Sequence, residues 1–173
     1  DVIVEAVVEN PKVKAAVLSE VEGLVDAETI LTSNTSTIPL KNLVEGRGDG
    51  FARDFMITHF FNPPRYMRLL EVVAGPDTRP EAVEALSRFA DVRLGKGVVR
   101  CKDRPGFIAN RIGTYWIQAA INQAIDLGLT VEEADAVVGR PMGIPKTGVF
   151  GLVDLVGLDL MPYVSRSLLN TLP

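Results

Sequence analysis

The sequence alternates between strand-like and helix-like segments up to residue 101, and this alternation constrains the fold more than any other feature. Short apolar segments with the length of strands, the first of them mostly buried, are predicted at residues 2–8, 29–32, 55–59, 69–74 and 98–101. Helical patterns begin at Pro11, Pro39 and Thr78. Thr78 and Glu81 fit a capping box for a helix ending near Leu94. Such alternation favours a mostly parallel sheet with crossover helices.

Only helical patterns remain after Arg104-Pro105-Gly106. We predict helices over residues 107–127, 130–138 and 149–172, the last with a break near Gly157. Thr130 and Glu133 form a second capping box. Glycine-rich loops are predicted at residues 46–50 and 139–148.

These patterns predict an α/β fold class in two parts. Residues 1–103 fit the C-terminal part of a Rossmann-like parallel-sheet domain, and residues 104–173 fit a truncated all-α domain. Because the chain begins at once in a strand and stops within a helical pattern, we expect it to be a piece of a longer protein.

The composition excludes several classes of protein. Hydrophobic residues make up 47% and charged residues 23% of the chain, as in ordinary globular proteins. The net charge of −4 gives no electrostatic reason to expect nucleic acid or an anionic membrane surface. No apolar run reaches the roughly 18 residues of a membrane span. With one cysteine, Cys101, and one histidine, the chain has no internal disulfide and no zinc site of the usual kind, so no metal is predicted and a reducing compartment is expected. We interpret Cys101 as a small buried hydrophobic residue.

The single histidine, His59, ends a strand-like segment just before an Asn-Pro-Pro turn. Imidazole is the side chain best suited to proton transfer near neutral pH. Glu71 lies in the apolar run 69–73, where a carboxylate needs a partner to stay charged. If the two meet, Glu71 fixes the tautomer of the ring and raises its basicity. The alternative is a histidine with a purely structural role.

Other polar residues follow the predicted strands, where α/β sheets place their chemistry. They are Glu9 after the first strand and residues 33–36 after the second. A further polar residue, Asn110, lies at the start of the long helix, where it could close a cleft between the two domains. Each has a structural alternative: Ser36 as a helix cap, Asn110 as an exposed helix residue, Glu9 as a solvated residue and Lys14 as a surface lysine.

Several motifs, in this order and at these spacings, resemble the L-3-hydroxyacyl-CoA dehydrogenases of fatty-acid β-oxidation, including the dehydrogenase part of multifunctional proteins. The resemblance covers essentially the whole chain. The motifs are Val7-Val8-Glu9-Asn10 with Lys14, Ser33-Asn34-Thr35-Ser36, His59-Phe60-Phe61-Asn62-Pro63 with Glu71, Asp103 through Arg111, Pro141-Met142-Gly143, and Gly151-Leu152-Val153-Asp154.

The resemblance implies NAD-dependent oxidation of L-3-hydroxyacyl-CoA to 3-ketoacyl-CoA. His59 is similar to the general base that takes the 3-hydroxyl proton, and Glu71 to its partner. Ser36 and Asn110 resemble the residues that hydrogen-bond the substrate oxygen or steer the histidine. The positions similar to those that touch the nicotinamide–ribose half of the cofactor are Glu9, Lys14, Ser36 and Asn62.

The chain departs from the family by lacking the Gly-x-Gly-x-x-Gly turn that holds the cofactor pyrophosphate. The segment Gly46-Arg47-Gly48-Asp49-Gly50 follows a helix rather than a strand, so it is not such a turn. This piece alone is therefore expected to bind NAD weakly or not at all. The resemblance implies a parent enzyme that is a homodimer through its helical domain, in the bacterial cytoplasm or the mitochondrial matrix.

Three alternatives remain at this point. Ser36, His59 and Glu71 could form a hydrolase triad, although Ser36 lacks the Gly-x-Ser-x-Gly elbow. A non-catalytic, crystallin-like relative is the second alternative. The third is a sister dehydrogenase acting on short-chain 3-hydroxybutyryl-CoA or on a sugar acid. The sequence leaves open the acyl chain length, NAD against NADP, and a fused hydratase domain.

Overall fold

The computed structural model describes residues 1–26, 28–143, 146–159, 161–162 and 165–166. It forms two compact units, Asp1–Phe107 and a second that begins at Ile108. The elements of the first unit are β1 Val2–Glu5, α1 Pro11–Glu22, β2 Ile30–Ser33, α2 Leu40–Val44, α3 Asp49–Asp54, β3 Phe55–Phe60, β4 Leu69–Ala74, α4 Pro80–Leu94 and β5 Gly97–Cys101. Those of the second are α5 Ala109–Asp126, α6 Val131–Val137, a 3₁₀ turn at Arg140–Met142 and α7 Gly148–Val156. None of the helices in these described ranges is long and apolar enough to cross a membrane.

The five described strands form one sheet in the order β1-β2-β3-β4-β5. Three neighbouring pairs are parallel, as predicted, but β3 and β4 are antiparallel. The predicted alternation of strands with crossover helices is therefore wrong between β3 and β4. Residues 61–68 form a loop that leads directly into the antiparallel strand β4, without a crossover helix. The antiparallel register places His59 directly opposite Glu71. Directly opposite residues point to the same face of a sheet, so the two side chains are neighbours.

Apolar side chains cover both faces of the sheet. In β3, Phe55 and Ile57 pack on the face covered by α1, α2 and α3, whereas Met56 packs on the face covered by α4. Each fully buried side chain of this size contributes roughly 1.5–3 kcal/mol through the hydrophobic effect. Because residues alternate between faces along a strand, His59 lies on the same face as Ile57. The core thus fixes the side of the sheet on which His59 stands.

The predicted strand 2–8 is wrong in length and burial. The observed strand ends at Glu5, and the side chains of Val2 and Val4 are exposed because β1 is an edge strand of the described sheet. Helix α3 was also not predicted, since residues 46–50 were interpreted as a loop. It forms because Phe51 is buried and stacks on Phe55, with 4.7 Å between ring centroids.

Helix α1 begins at Pro11 as predicted, with the Asn10 Oδ1 atom accepting hydrogen bonds from two backbone amides of its first turn. The capping box of Thr130 and Glu133 is also confirmed. The box predicted for Thr78 is wrong, because its hydroxyl donates to the carbonyl of Phe55 at 2.9 Å, and the helix begins at Pro80.

The second unit has a core of Ile117, Val149 and Val153. The carboxylate of Asp135 accepts hydrogen bonds from the first turns of α7, at 2.7 and 2.9 Å, and so joins α6 to α7. The predicted break at Gly157 is confirmed, with φ of 106° at that residue. Most of the helix predicted beyond it lies outside the described residues.

Candidate active site

His59 and Glu71 form a buried pair across the antiparallel strands β3 and β4. The Nδ1 atom of His59 lies 2.9 Å from Oε2 of Glu71, and the two residues are 6% and 1% exposed. Because a carboxylate only accepts hydrogen bonds, Nδ1 carries the proton in this pair. The neutral ring then holds its lone pair on Nε2, which is the atom able to take a proton from a ligand.

Two aromatic rings hold the imidazole in place. The centroid of His59 lies 4.5 Å from that of Phe61 and 5.6 Å from that of Phe107, both at 59° between planes. Phe107 has a φ of 45°, an unusual value for a residue with a side chain. Such a backbone costs on the order of 1–3 kcal/mol and is often found beside functional groups. It also explains why α5 starts at Ala109 rather than at residue 107 as predicted. No pattern in the sequence pointed to the contact between Phe107 and His59.

The second oxygen of Glu71 faces Cys101. The Sγ atom of Cys101 lies 3.6 Å from Oε1 of Glu71, at the end of β5. Cys101 is partly buried and packs against the core, which agrees with its interpretation as a small hydrophobic residue only in part. Its contact with the carboxylate was missed, because β5 pairs with β4 in a register that the sequence does not reveal.

Ser36 lies in the loop that follows β2, on the same unit as His59. The loop is tied to β3 by Asn34, whose Oδ1 accepts a hydrogen bond from the amide of Phe60 at 2.9 Å. Ser36 and Phe107 line one small crevice of about 20 Å³ together with Asp103. Since Phe107 also contacts His59, this ring connects the two candidate residues. The alternative of Ser36 as a helix cap is wrong, because Asp103 accepts the hydrogen bonds from the amides at the start of α2.

Glu9 accepts hydrogen bonds from Ser36 and from both of its neighbours in the chain. Its Oε1 atom accepts hydrogen bonds from the backbone amides of Ser36 and Thr37, both at 3.1 Å, and from the hydroxyls of Thr35 and Thr37. Partial burial alone would raise the pKa of Glu9, but the hydrogen bonds from Thr35 and Thr37 and the charge of Lys14 outweigh it. The pKa therefore lies below the ordinary value of 4.5. The interpretation of Glu9 as a merely solvated residue is wrong.

Lys14 is buried beneath Glu9, so the alternative of a surface lysine is also wrong. It is 1% exposed, and its Nζ atom lies 2.8 Å from Oε1 of Glu5 and 3.4 Å from Oε2 of Glu9. Glu5 in turn accepts a hydrogen bond from the hydroxyl of Ser33 at 2.5 Å. Glu5 was not among the predicted site residues, although a carboxylate in an apolar strand is a signal of the same kind as Glu71.

The remaining two candidates lie on separate elements. Asn62 is exposed in the loop between β3 and β4, which is held by the Nζ atom of Lys96 through the carbonyl oxygens of Pro64 and Met67, the latter at 2.8 Å. Asn110 is half-buried in the first turn of α5, in the second unit. That Asn110 closes a cleft stays a prediction.

Comparison with known proteins places this arrangement in a family. Residues 1–104 match the family model described as 3-hydroxyacyl-CoA dehydrogenase, NAD binding domain, and residues 106–173 match the model of the C-terminal domain. The chain belongs to the 3-hydroxyacyl-CoA dehydrogenase family. The resemblance inferred from the motifs is thereby confirmed, together with the Rossmann-like α/β fold and NAD as the cofactor class of this family.

Members of the 3-hydroxyacyl-CoA dehydrogenase family align with the whole chain. A putative fatty acid oxidation complex trifunctional enzyme of Rickettsia felis is 42% identical over 173 residues, which are 100% of this chain and 24% of that protein. A probable 3-hydroxyacyl-CoA dehydrogenase of Deinococcus radiodurans is 41% identical over 173 residues, again 100% of this chain and 50% of that protein.

Solved structures of the family superpose closely. FadB2 of M. tuberculosis has a TM-score of 0.88 at 33% identity, with coverage of 98% of this chain and 59% of that chain. The (S)-3-hydroxybutyryl-CoA dehydrogenase PaaH1 of Ralstonia eutropha has a TM-score of 0.87 at 31% identity, with coverage of 99% and 59%. The chain thus spans less than two thirds of the length of each of these relatives.

Proposed function

We propose that the protein containing this chain is an NAD-dependent dehydrogenase that oxidises L-3-hydroxyacyl-CoA to 3-ketoacyl-CoA in fatty-acid β-oxidation. The observation that carries this proposal is the buried pair of His59 and Glu71, with 2.9 Å between Nδ1 and Oε2. A buried imidazole with a carboxylate behind it is suited to accept a proton from a secondary alcohol.

In this proposal Nε2 of His59 takes the proton of the 3-hydroxyl group while the hydride leaves C3. When bound, NAD supplies the acceptor for that hydride. The imidazolium that forms at His59 is stabilised by the negative charge of Glu71, which is worth most in a buried site. Phe61 and Phe107 keep the ring plane fixed during the transfer. In the reverse direction, the imidazolium returns the proton to the 3-keto oxygen.

The other candidates contribute binding and orientation. We assign Ser36 and Asn110 to hydrogen bonds with the substrate oxygen or with His59, and Ser36, Glu9 and Asn62 to the nicotinamide–ribose half of the cofactor. The carboxylate of Glu9 suits ribose hydroxyls as an acceptor, and the exposed amide of Asn62 can donate and accept. Lys14 supports this group from beneath Glu9, since its Nζ atom is engaged by Glu5 and the carbonyl of Val7.

We further propose that residues 1–103 and 104–173 are parts of an NAD-binding and a helical domain in the whole protein. The helical domain would form a homodimer, and a reducing compartment, the bacterial cytoplasm or the mitochondrial matrix, would house the enzyme. The similarity to a trifunctional enzyme supports a multidomain parent.

A short-chain 3-hydroxybutyryl-CoA dehydrogenase is the second candidate function. The similarity to PaaH1, a (S)-3-hydroxybutyryl-CoA dehydrogenase, favours it. It differs from the first in acyl chain length only, so the same residues would act in the same roles.

One assay tests both candidates. The full-length protein is given NAD with L-3-hydroxyacyl-CoA substrates of increasing chain length, and NADH absorbance is followed. We expect NADH to form, with substrates of several chain lengths under the first candidate and with 3-hydroxybutyryl-CoA alone under the second. Absence of NADH with every chain length would refute the proposed activity, and labelling of Ser36 by a serine-reactive phosphonate would favour a hydrolase instead.

Replacing Glu71 with glutamine is expected to lower kcat by about 10²-fold. The amide keeps the size of the side chain but lacks the charge that stabilises the imidazolium of His59, while KM should change little because Glu71 lies behind the ring. Glu84→Gln is a matched control, since Glu84 pairs with Arg100 at the surface and such pairs contribute little. Equal kcat values for the Glu71→Gln variant and the wild type would remove Glu71 from the mechanism.

A further inference from the structure

We propose that Glu9 is a positioning residue, which holds Ser36 in place for the reaction by binding the backbone and hydroxyl groups on both sides of it. This inference rests on the proposed function and goes beyond a contact between Glu9 and the cofactor. It assigns to Glu9 an effect on the chemical step that passes through Ser36.

The contacts converge on one atom. Oε1 of Glu9 accepts hydrogen bonds from the hydroxyl of Thr35 at 2.5 Å, from the amides of Ser36 and Thr37 at 3.1 Å, and from the hydroxyl of Thr37 at 2.9 Å. Three consecutive residues with Ser36 at their centre are therefore fixed by a single oxygen. Four donors around one oxygen are best stabilised by a full negative charge, which a glutamine amide does not supply.

Other hydrogen bonds hold the loop at residues next to Ser36. The hydroxyl of Thr35, a fully buried residue, accepts hydrogen bonds from the amides of Thr37 and Ile38, at 3.4 and 3.0 Å. Asn34, which precedes Thr35, accepts a hydrogen bond from the amide of Phe60. Glu9 supplies the hydrogen bond to the backbone of Ser36 itself, so its loss would release the residue that carries the substrate-binding hydroxyl.

Glu9 is itself anchored to the sheet. Lys14 lies between Glu9 and Glu5, with Nζ 3.4 Å from Oε2 of Glu9 and 2.8 Å from Oε1 of Glu5. Glu5 is the last residue of β1, and it is bound by Ser33 at the end of β2. Ser36 is thus connected, through Glu9, Lys14 and Glu5, to the ends of two paired parallel strands, and a site supported by strands is held more precisely than one supported by loops alone.

A double-mutant cycle in the full-length protein tests the inference. We expect Glu9→Gln to lower kcat about 10-fold with Ser36 present, because a charged hydrogen-bond acceptor is lost. In a Ser36→Ala background the same change should lower kcat by less than about 2-fold, because the residue through which Glu9 acts is gone. Glu20→Gln, an exposed glutamate on α1, is the matched control and should leave both backgrounds unchanged.

Two results would overturn the inference. One is an equal effect of Glu9→Gln with and without Ser36, which indicates a general structural role. The other is an effect confined to the KM for NAD, which indicates a cofactor contact alone.

Hydrogen exchange separates failure of this inference from failure of the proposed function. In the full-length protein, mass spectrometry should show about 10-fold faster exchange for the amides of Ser36 and Thr37 in Glu9→Gln, and no change in Glu20→Gln. If the wild type produces no NADH, the proposed function fails, and the exchange result alone decides whether Glu9 holds Ser36. Unchanged exchange in Glu9→Gln refutes the positioning contact whatever the activity.

Discussion

Replacing His59 with glutamine is expected to lower kcat about 10³-fold, the largest catalytic effect of any single change in this chain. The side-chain amide group of glutamine can occupy the place of Nδ1 opposite Glu71. The glutamine side chain also fills much of the space of the ring between Phe61 and Phe107. It has no basic nitrogen at the place of Nε2, so no side chain takes the proton of the 3-hydroxyl group. KM for the acyl-CoA should stay within a few-fold of the wild-type value, because the lost interaction is made mainly in the transition state.

The measurement is NADH formation by the full-length protein, with single-turnover kinetics to separate hydride transfer from product release. Thr58→Ser is the control, because Thr58 precedes His59 on β3, points to the other face of the sheet and keeps its hydroxyl bond to Thr32 in this variant. An undiminished kcat in His59→Gln, with the control also active, would mean that another group is the base. The pair of His59 and Glu71 would then have a purely structural role, which is the alternative that the sequence leaves open for His59.

The sequence indicated that a contact of His59 with Glu71 would be important, but it did not predict that the two side chains meet. Their separation of 12 residues was read from the chain, and the apolar surroundings of Glu71 indicated a need for a partner. What the sequence could not supply was the direct return of the chain between β3 and β4. The loop 61–68 has no hairpin turn signal of the common two-residue kind, so the antiparallel register was not predicted.

The cap predicted at Thr78 and the cap considered as an alternative for Ser36 are wrong for a common physical reason. Thr78 and Ser36 lie where threonine and serine usually cap helices. In the structure the hydroxyl of Thr78 donates a hydrogen bond to the carbonyl of Phe55, and the carboxylate of Asp103 accepts the hydrogen bond from the first amide of α2. Partners distant in sequence therefore displace the local ones, and such competition is visible only once the sheet has been assembled.

The pattern of burial around Lys14 could not be read from α1 alone. A lysine in an amphipathic helix is normally solvated, and the stripe of apolar residues in α1 gave no sign that this one faces inward. The deciding residue is Glu5, which is 5% exposed and stands on β1, the strand that α1 covers. Each of these two residues favours the burial of the other, because Glu5 would lose its positively charged partner without Lys14, and Lys14 without Glu5 would keep only the longer ion pair with Glu9 at 3.4 Å.

Replacing Lys14 with methionine is therefore expected to destabilise the fold by about 3–5 kcal/mol, the loss typical of breaking a buried ion pair from one side. Methionine fills the space of the lysine chain, so the loss arises from Glu5, which would keep its charge without the bonds from Nζ at 2.8 and 3.1 Å. The double variant Glu5→Gln, Lys14→Met should recover most of that stability, since the buried charge of Glu5 is removed too, while the side chain of Glu9 is 36% exposed and can be solvated. Urea unfolding of the full-length protein, followed by circular dichroism, measures all three free energies, with Lys12→Met on the exposed face of α1 as the control. A free energy of unfolding for Lys14→Met within about 1 kcal/mol of the control would show that Glu5 finds water or another partner. The contacts of Lys14 with Glu5 and Glu9 would then contribute little to stability, and the anchoring of Glu9 through Lys14 would be weak.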